Sequence, residues 1–125
     1  MRESESQENY LETILIMSRN QDVVRSVDIA TTTGYKKSSV SVAMKNLREK
    51  GYITVAESGA ITFTKEGRAL AELVYERHTI LSTALKMLGV SDSVAAEDAC
   101  RIEHDISDEA FAAVKNFVST HGKTK

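Results

Sequence analysis

The chain has 125 residues, 42% hydrophobic and 27% charged, the size of one ordinary domain or of a small DNA-binding module with an added helical part. That composition excludes a disordered chain, and neither a bilayer-spanning apolar run nor a signal-peptide pattern is present. The single cysteine cannot form an intramolecular disulfide, so a reducing cytoplasm without membrane attachment is expected. The net charge of −2 is less informative than its distribution. Residues 34–50 carry five basic side chains against one acidic, whereas residues 91–110 carry seven acidic against one basic. A basic front and an acidic back suggest one polyanionic and one cationic partner.

Residues 3–7 read as a polar, frayed lead-in. From there to about Arg19, Tyr10, Leu11, Ile14, Leu15 and Met17 recur at helical spacing, with Asn9 and Glu12 sharing one edge. Ser26 is expected to cap a short helix over residues 27–32. After Gly34, Lys37, Ser38 and Ser39 open a longer helix with Val40, Ala43, Met44 and Leu47 inward, closed by Gly51. Two helices joined by a tight glycine turn, the second starting with Lys and Ser, form the helix-turn-helix pattern. Small hydroxyl side chains at a positive helix end let the backbone approach phosphates and base edges. A plain helical hairpin with a solvated basic face would look the same up to this point.

Residues 52–55 and 60–63 are short β-type runs around a Glu57-Ser58-Gly59 turn, which adds a wing. Thr64 and Glu66 mark the start of a long helix over residues 65–88, with Leu70, Leu73, Val74, Arg77, Leu81, Leu85 and Leu88 as its stripe. Alone, His78 on this helix reads as a surface or satisfied histidine. Ser91 can cap the next helix, with Val94, Ala95, Ala99 and Ile102 inward. Cys100, Glu103 and His104 follow at i, i+3 and i+4, so thiolate, carboxylate and imidazole project from one face. These are transition-metal ligand types, although a half-buried Cys beside an exposed Glu-His pair is the bland alternative. Ser107 starts a last helix with Phe111, Val114, Phe117 and Val118 as its stripe, and residues 121–125 read as a loose tail.

The sequence resembles the family of metal-dependent repressors that includes the diphtheria toxin repressor and the manganese transport regulator. The resemblance runs through residues 8–12, 38–41, 47–51, 64–68 and 76–78, and is most specific over residues 99–109. It implies a mainly α fold. Residues 1–64 would form a winged helix-turn-helix DNA-binding domain, and residues 65–125 a helical dimerisation and metal-binding domain. It also implies Cys100, Glu103 and His104 as primary metal ligands, with Asn9 where the family usually has Met or Asp. A second, adjacent cation would be held by Glu12, His78 and a shared Glu103. Three departures stand out. Asn9 offers only a neutral amide oxygen, Ala96 replaces the histidine of iron-type members, and Ser82 replaces their carboxylate. A chain of 125 residues would be expected to lack the SH3-like domain of longer members.

The expected function is thus a non-enzymatic, metal-dependent transcriptional regulator. It would bind a pseudo-palindromic double-stranded DNA operator as a homodimer, as a repressor of metal-uptake genes. Lys36, Lys37, Ser38, Ser39, Ser41, Val42 and Lys45 are the candidate DNA contacts, the lysines serving phosphates and Val42 offering apolar contact. For the cation, the Cys100 thiolate favours Fe(II), while Glu12 pulls toward Mn(II). The rival regulator would respond to an organic ligand or to oxidation of Cys100. A thiol- or metal-dependent enzyme would need a cleft and oxyanion donors that no motif supplies, and a metal carrier would leave the basic segment without purpose.

Overall fold

Val40, Met44 and Leu47 recur at helical spacing from Lys37 onward, and all three are buried at 4% exposure or less. The helix they define, α3 (Lys37–Glu49), packs against α1 (Glu3–Asn20), α2 (Ser26–Thr33) and the first strand of the wing. The structure is a computed structural model that describes residues 3–121, with side chains from residue 6 onward. The remaining elements are β1 (Ile53–Val55), β2 (Ile61–Phe63), α4 (Lys65–Met87), α5 (Asp92–Ile102) and α6 (Asp108–His121). The chain divides into two units, Met1–Glu72 and Leu73–Lys125, and α4 runs through the division. No helix among the described residues is long and apolar enough to cross a membrane.

In the first unit, Leu11, Ile14 and Leu15 of α1, Ile29 of α2 and Ile53 of β1 join the α3 stripe as buried residues. Contrary to the expected frayed lead-in, α1 already begins at Glu3; residues 3–7 hold neither Gly nor Pro to interrupt it. Ser26 is the first residue of α2 and not its cap. Arg25 takes the extended cap conformation, and its N–H donates to Asp28 Oδ2 at 2.9 Å. The α2–α3 turn is made at Gly34, whose φ of 79° suits a residue without Cβ.

β1 and β2 pair antiparallel, with Thr54 opposite Thr62 and their hydroxyls 2.7 Å apart on the exposed face. The wing is fastened at its turn end to the segment before α2. Ile61 N–H donates to the Val24 carbonyl at 2.8 Å, and Arg25 Nε donates to the Ser58 carbonyl at 3.0 Å at the wing tip. Thr64 then caps α4, its hydroxyl accepting from Gly67 N–H at 3.0 Å and donating to the Gly51 carbonyl at 2.6 Å. Gly67 sits so close to β1 that an added Cβ would lie 1.7 Å from the Tyr52 carbonyl oxygen.

In the second unit, Leu81, Ala99 and Phe111 form the buried cluster, flanked by Ile80, Ile106 and Val114. Small Ala95 and Ala99, both fully buried, are the inward residues of α5. Val94 and Ile102, expected inward, are 43% and 36% exposed, because the alanine stripe alone faces the core. Leu73, Leu88 and Phe117 likewise leave their expected stripes and are exposed. His121, read from the sequence as tail, ends α6, and residues 122–125 lie outside the described residues.

Candidate metal centre and nucleic-acid interface

The end of α5 builds the cluster. Glu103 N–H donates to the Ala99 carbonyl at 2.9 Å, so helical geometry persists through Glu103 as C-cap, and His104 follows in the turn. The expectation of all three ligands inside the helix is therefore corrected by a residue or two, while the one-turn spacing survives. Donor atoms of Cys100, Glu103 and His104 lie within 4.8 Å of one another. The set is one sulfur, one carboxylate oxygen and one imidazole nitrogen, suited to a borderline first-row divalent cation.

Glu103 carries the decisive observation. It is 1% exposed, and neither carboxylate oxygen makes a hydrogen bond. His104 Nε2 stands 3.4 Å from Oε1, and His78 Nδ1 on α4 stands 3.4 Å from Oε2. A buried carboxylate without hydrogen bonds carries a desolvation penalty of several kcal/mol, which a cation among these groups would offset. The residues present fit a metal. Cys100 is half-buried.

Asn9 and Glu12 are placed on α1 of the first unit, three residues apart along one edge. Glu12 is only 9% exposed despite its charge. Ser82, where iron-type relatives were expected to carry a carboxylate, is buried at 8% exposure.

On α3, every candidate DNA-contacting residue is exposed: Lys36, Lys37, Ser38, Ser39, Ser41, Val42 and Lys45. Val42 is the most telling, a valine 59% exposed on a helix whose opposite face is fully buried. Lys36 is the N-cap and has no side-chain cap bond, so the first N–H groups of α3 point outward at the positive helix end. Arg48, which was not among the expected contacts, lines one cavity with Ser26, Ser41, Met44, Lys45 and wing residue Val55. The basic count of residues 34–50 contained that signal, but only the fold sets Arg48 beside the wing. Tyr10 of α1 meets Tyr35, in the turn before α3, edge-on at 5.8 Å between ring centroids. Burial, and secondarily the neighbouring Tyr35, raise the Tyr10 phenol above its ordinary pKa of 10.0.

Comparison with known proteins adds the following. The model of an iron-dependent repressor N-terminal DNA-binding domain matches residues 3–61. The model of an iron-dependent repressor metal-binding and dimerisation domain matches residues 64–123. The transcriptional regulator MntR of Escherichia coli O6:H1 is 34% identical over 115 residues, which is 92% of this chain and 74% of that protein. An HTH-type transcriptional regulator of Methanocaldococcus jannaschii, MJ0568, is 32% identical, with 92% of this chain and 94% of that protein covered. A solved manganese-dependent transcriptional repressor in complex with manganese superposes with a TM-score of 0.82 at 29% identity, covering 90% of this chain and 52% of that one. The chain thus spans about half the length of that solved structure.

Proposed function

The chain belongs to the iron-dependent repressor family, and from that premise we propose that it is a repressor whose binding to operator DNA is switched by a divalent transition cation. The single observation that carries this reading is the buried Glu103 carboxylate, without hydrogen bonds, between His78 and His104 and beside Cys100. Cys100, Glu103 and His104 would hold the primary cation. His78, the shared Glu103 and Glu12 of α1 would hold an adjacent one, and Asn9 would add a neutral oxygen donor. A bound cation supplies positive charge that draws these donors together. A cation sharing donors of α1 and of the α5 turn would favour the DNA-competent form of the winged module. A differential affinity of a few kcal/mol, within the usual range of coupling free energies, is enough to switch DNA binding.

The DNA-binding form is a homodimer acting in the cytoplasm on two half-sites of a pseudo-palindrome. Exposed Leu73, Leu88, Val94, Ile102 and Phe117 of the second unit supply apolar surface for the partner copy. Lys36, Lys37 and Lys45 neutralise phosphates, while Ser38, Ser39, Ser41 and Val42 approach the base edges.

For the cation itself, the thiolate of Cys100 favours Fe(II) over the harder Mn(II). Manganese is the second reading. It is favoured by the carboxylates of Glu12 and Glu103 and by the likeness to a manganese-dependent repressor.

The test is anaerobic binding to DNA from the protein's own promoter region, without metal and with Fe(II), Mn(II) or Zn(II). Tight binding only with metal, abolished in Cys100→Ala and His104→Ala, is the expected result, and the order of the cations decides between iron and manganese. Equal binding with and without metal would leave a winged-helix regulator that answers another signal.

A further inference from the structure

Helix α5 ends in a turn that carries two of the proposed ligands, and the last carbonyls of a helix have no partner within it. Ile102 O is satisfied locally by Asp105 N–H at 2.9 Å and Ile106 N–H at 3.0 Å. The Glu103 carbonyl is met instead from another helix: Arg77 Nη1 on α4 donates to it at 3.3 Å and also to the Ile106 carbonyl at 3.3 Å. The second guanidinium nitrogen, Nη2, pairs with Asp108 in the first turn of α6, and the guanidinium carbon lies 5.3 Å from the Phe111 ring centroid. The Arg77 side chain is only 15% exposed.

We infer that Arg77 is a positioning residue for the metal centre, an inference that rests on the metal reading above. Arg77 and His78 are neighbours on α4 and grip the same residue in two ways. Arg77 holds the main chain of Glu103, and His78 faces its carboxylate. His104 is enclosed between the two carbonyls that Arg77 ties down, so its backbone position follows from the same fork. The charge of Arg77 is balanced by Asp108, so its effect on the cluster is geometric. It fixes where Glu103 and His104 stand relative to Cys100 before a cation arrives. A lysine could reach one carbonyl but lacks the planar fork that spans several acceptors.

The experiment uses the full chain and Co(II) as probe, titrated anaerobically and read by its thiolate charge-transfer and ligand-field absorption. Wild type is compared with Arg77→Lys, Arg77→Met and a control, Lys115→Ala. The control removes the 2.7 Å Lys115–Glu76 pair, which joins the same two helices, α4 and α6, away from the turn. Arg77→Met is expected to weaken Co(II) binding on the order of tenfold or more and to shift the ligand-field bands. Arg77→Lys should fall between it and wild type, and Lys115→Ala should leave both readouts unchanged. Helix content of the metal-free proteins is followed by circular dichroism, and if Arg77→Met does not fold, Arg77→Lys decides alone. Wild-type affinity and wild-type bands in the Arg77 variants overturn the positioning role while the metal reading stands. A wild-type protein that takes up no Co(II) overturns both.

Discussion

His78 Nδ1 on α4 faces Oε2 of Glu103 at 3.4 Å, and the carboxylate between His78 and His104 has no hydrogen bond to stabilise its charge. On the proposed metal reading, this arrangement would favour the metal-loaded protein over the metal-free one. Buried charge of this kind is tolerated where it serves a site, because an apolar or neutral replacement would be more stable.

Glu103→Gln should separate these two effects. The substitution replaces a buried carboxylate that makes no hydrogen bond by a neutral amide of nearly the same shape. Stability with chelator present is expected to rise by ~1–3 kcal/mol. The same change removes the anionic donor proposed for the cation, so the gain in melting temperature on adding Mn(II) or Co(II) should vanish. Thermal melts with chelator and with metal check both signs. A variant that is destabilised without metal would contradict the account of Glu103 as a buried carboxylate kept for a cation.

Much of this was legible in the sequence. Val40, Met44 and Leu47 at helical spacing revealed the inward face of α3, and Cys100, Glu103 and His104 at i, i+3 and i+4 revealed the cluster. Both signals are periodic, and periodicity belongs to the local chain. Contacts between distant segments were not legible. Arg77 carried no sign that it would reach carbonyls 26 and 29 residues away, and it read only as part of a stripe. The cap of α2 fell at Arg25 and not Ser26 because the cap bond comes from Asp28, a side chain the serine rule ignores. The exposure of Val94 and Ile102 was equally hidden, since a helix sequence does not say how narrow a face its neighbours will cover.

Gly67→Ala should be severely disruptive although alanine is the better helix former. The new methyl would overlap the Tyr52 carbonyl oxygen at 1.7 Å, and this obstacle is backbone, not a side chain that can turn away. The first turn of α4 must then move off β1, straining the Thr64 cap that binds Gly51. A loss of roughly 2–3 kcal/mol is expected, the upper part of the range for overpacking. Urea unfolding followed by circular dichroism measures it, and a loss under about 0.5 kcal/mol, the scale of ordinary surface substitutions, would mean that the junction yields easily.

Removing Lys36 and Lys37 tests the α3 face. Each is exposed at the helix start, where a lysine neutralises one phosphate and releases condensed counterions. In metal-saturated protein, each Lys→Ala change would leave one phosphate without its proposed cation. The slope of log K against log salt should then become shallower by about 1 for each such phosphate, with all DNA sequences weakened alike. Val42→Ala should behave oppositely, leaving the slope unchanged while altering preference at one base position. Fluorescence anisotropy over a salt series distinguishes the two. An unchanged slope in Lys36→Ala/Lys37→Ala would move the DNA interface away from this helix end.

Tyr10 gives the fold an alkaline limit. Tyr10 is 8% exposed and its ring lies edge-on to Tyr35, and burial first, then that neighbouring phenol, raises its pKa above 10.0. The folded protein therefore holds this proton more tightly than the unfolded chain does. The associated stability is fully present below the unfolded pKa near 10 and is lost as pH rises through the higher folded value. Tyr10→Phe keeps the ring against Tyr35 and removes the ionisable group, so its stability should fall less steeply above pH 10 than that of wild type. Parallel urea titrations from pH 8 upward check the difference, in which the other tyrosines and lysines cancel. Identical slopes for the two proteins would show that the Tyr10 hydroxyl ionises as freely in the fold as in water.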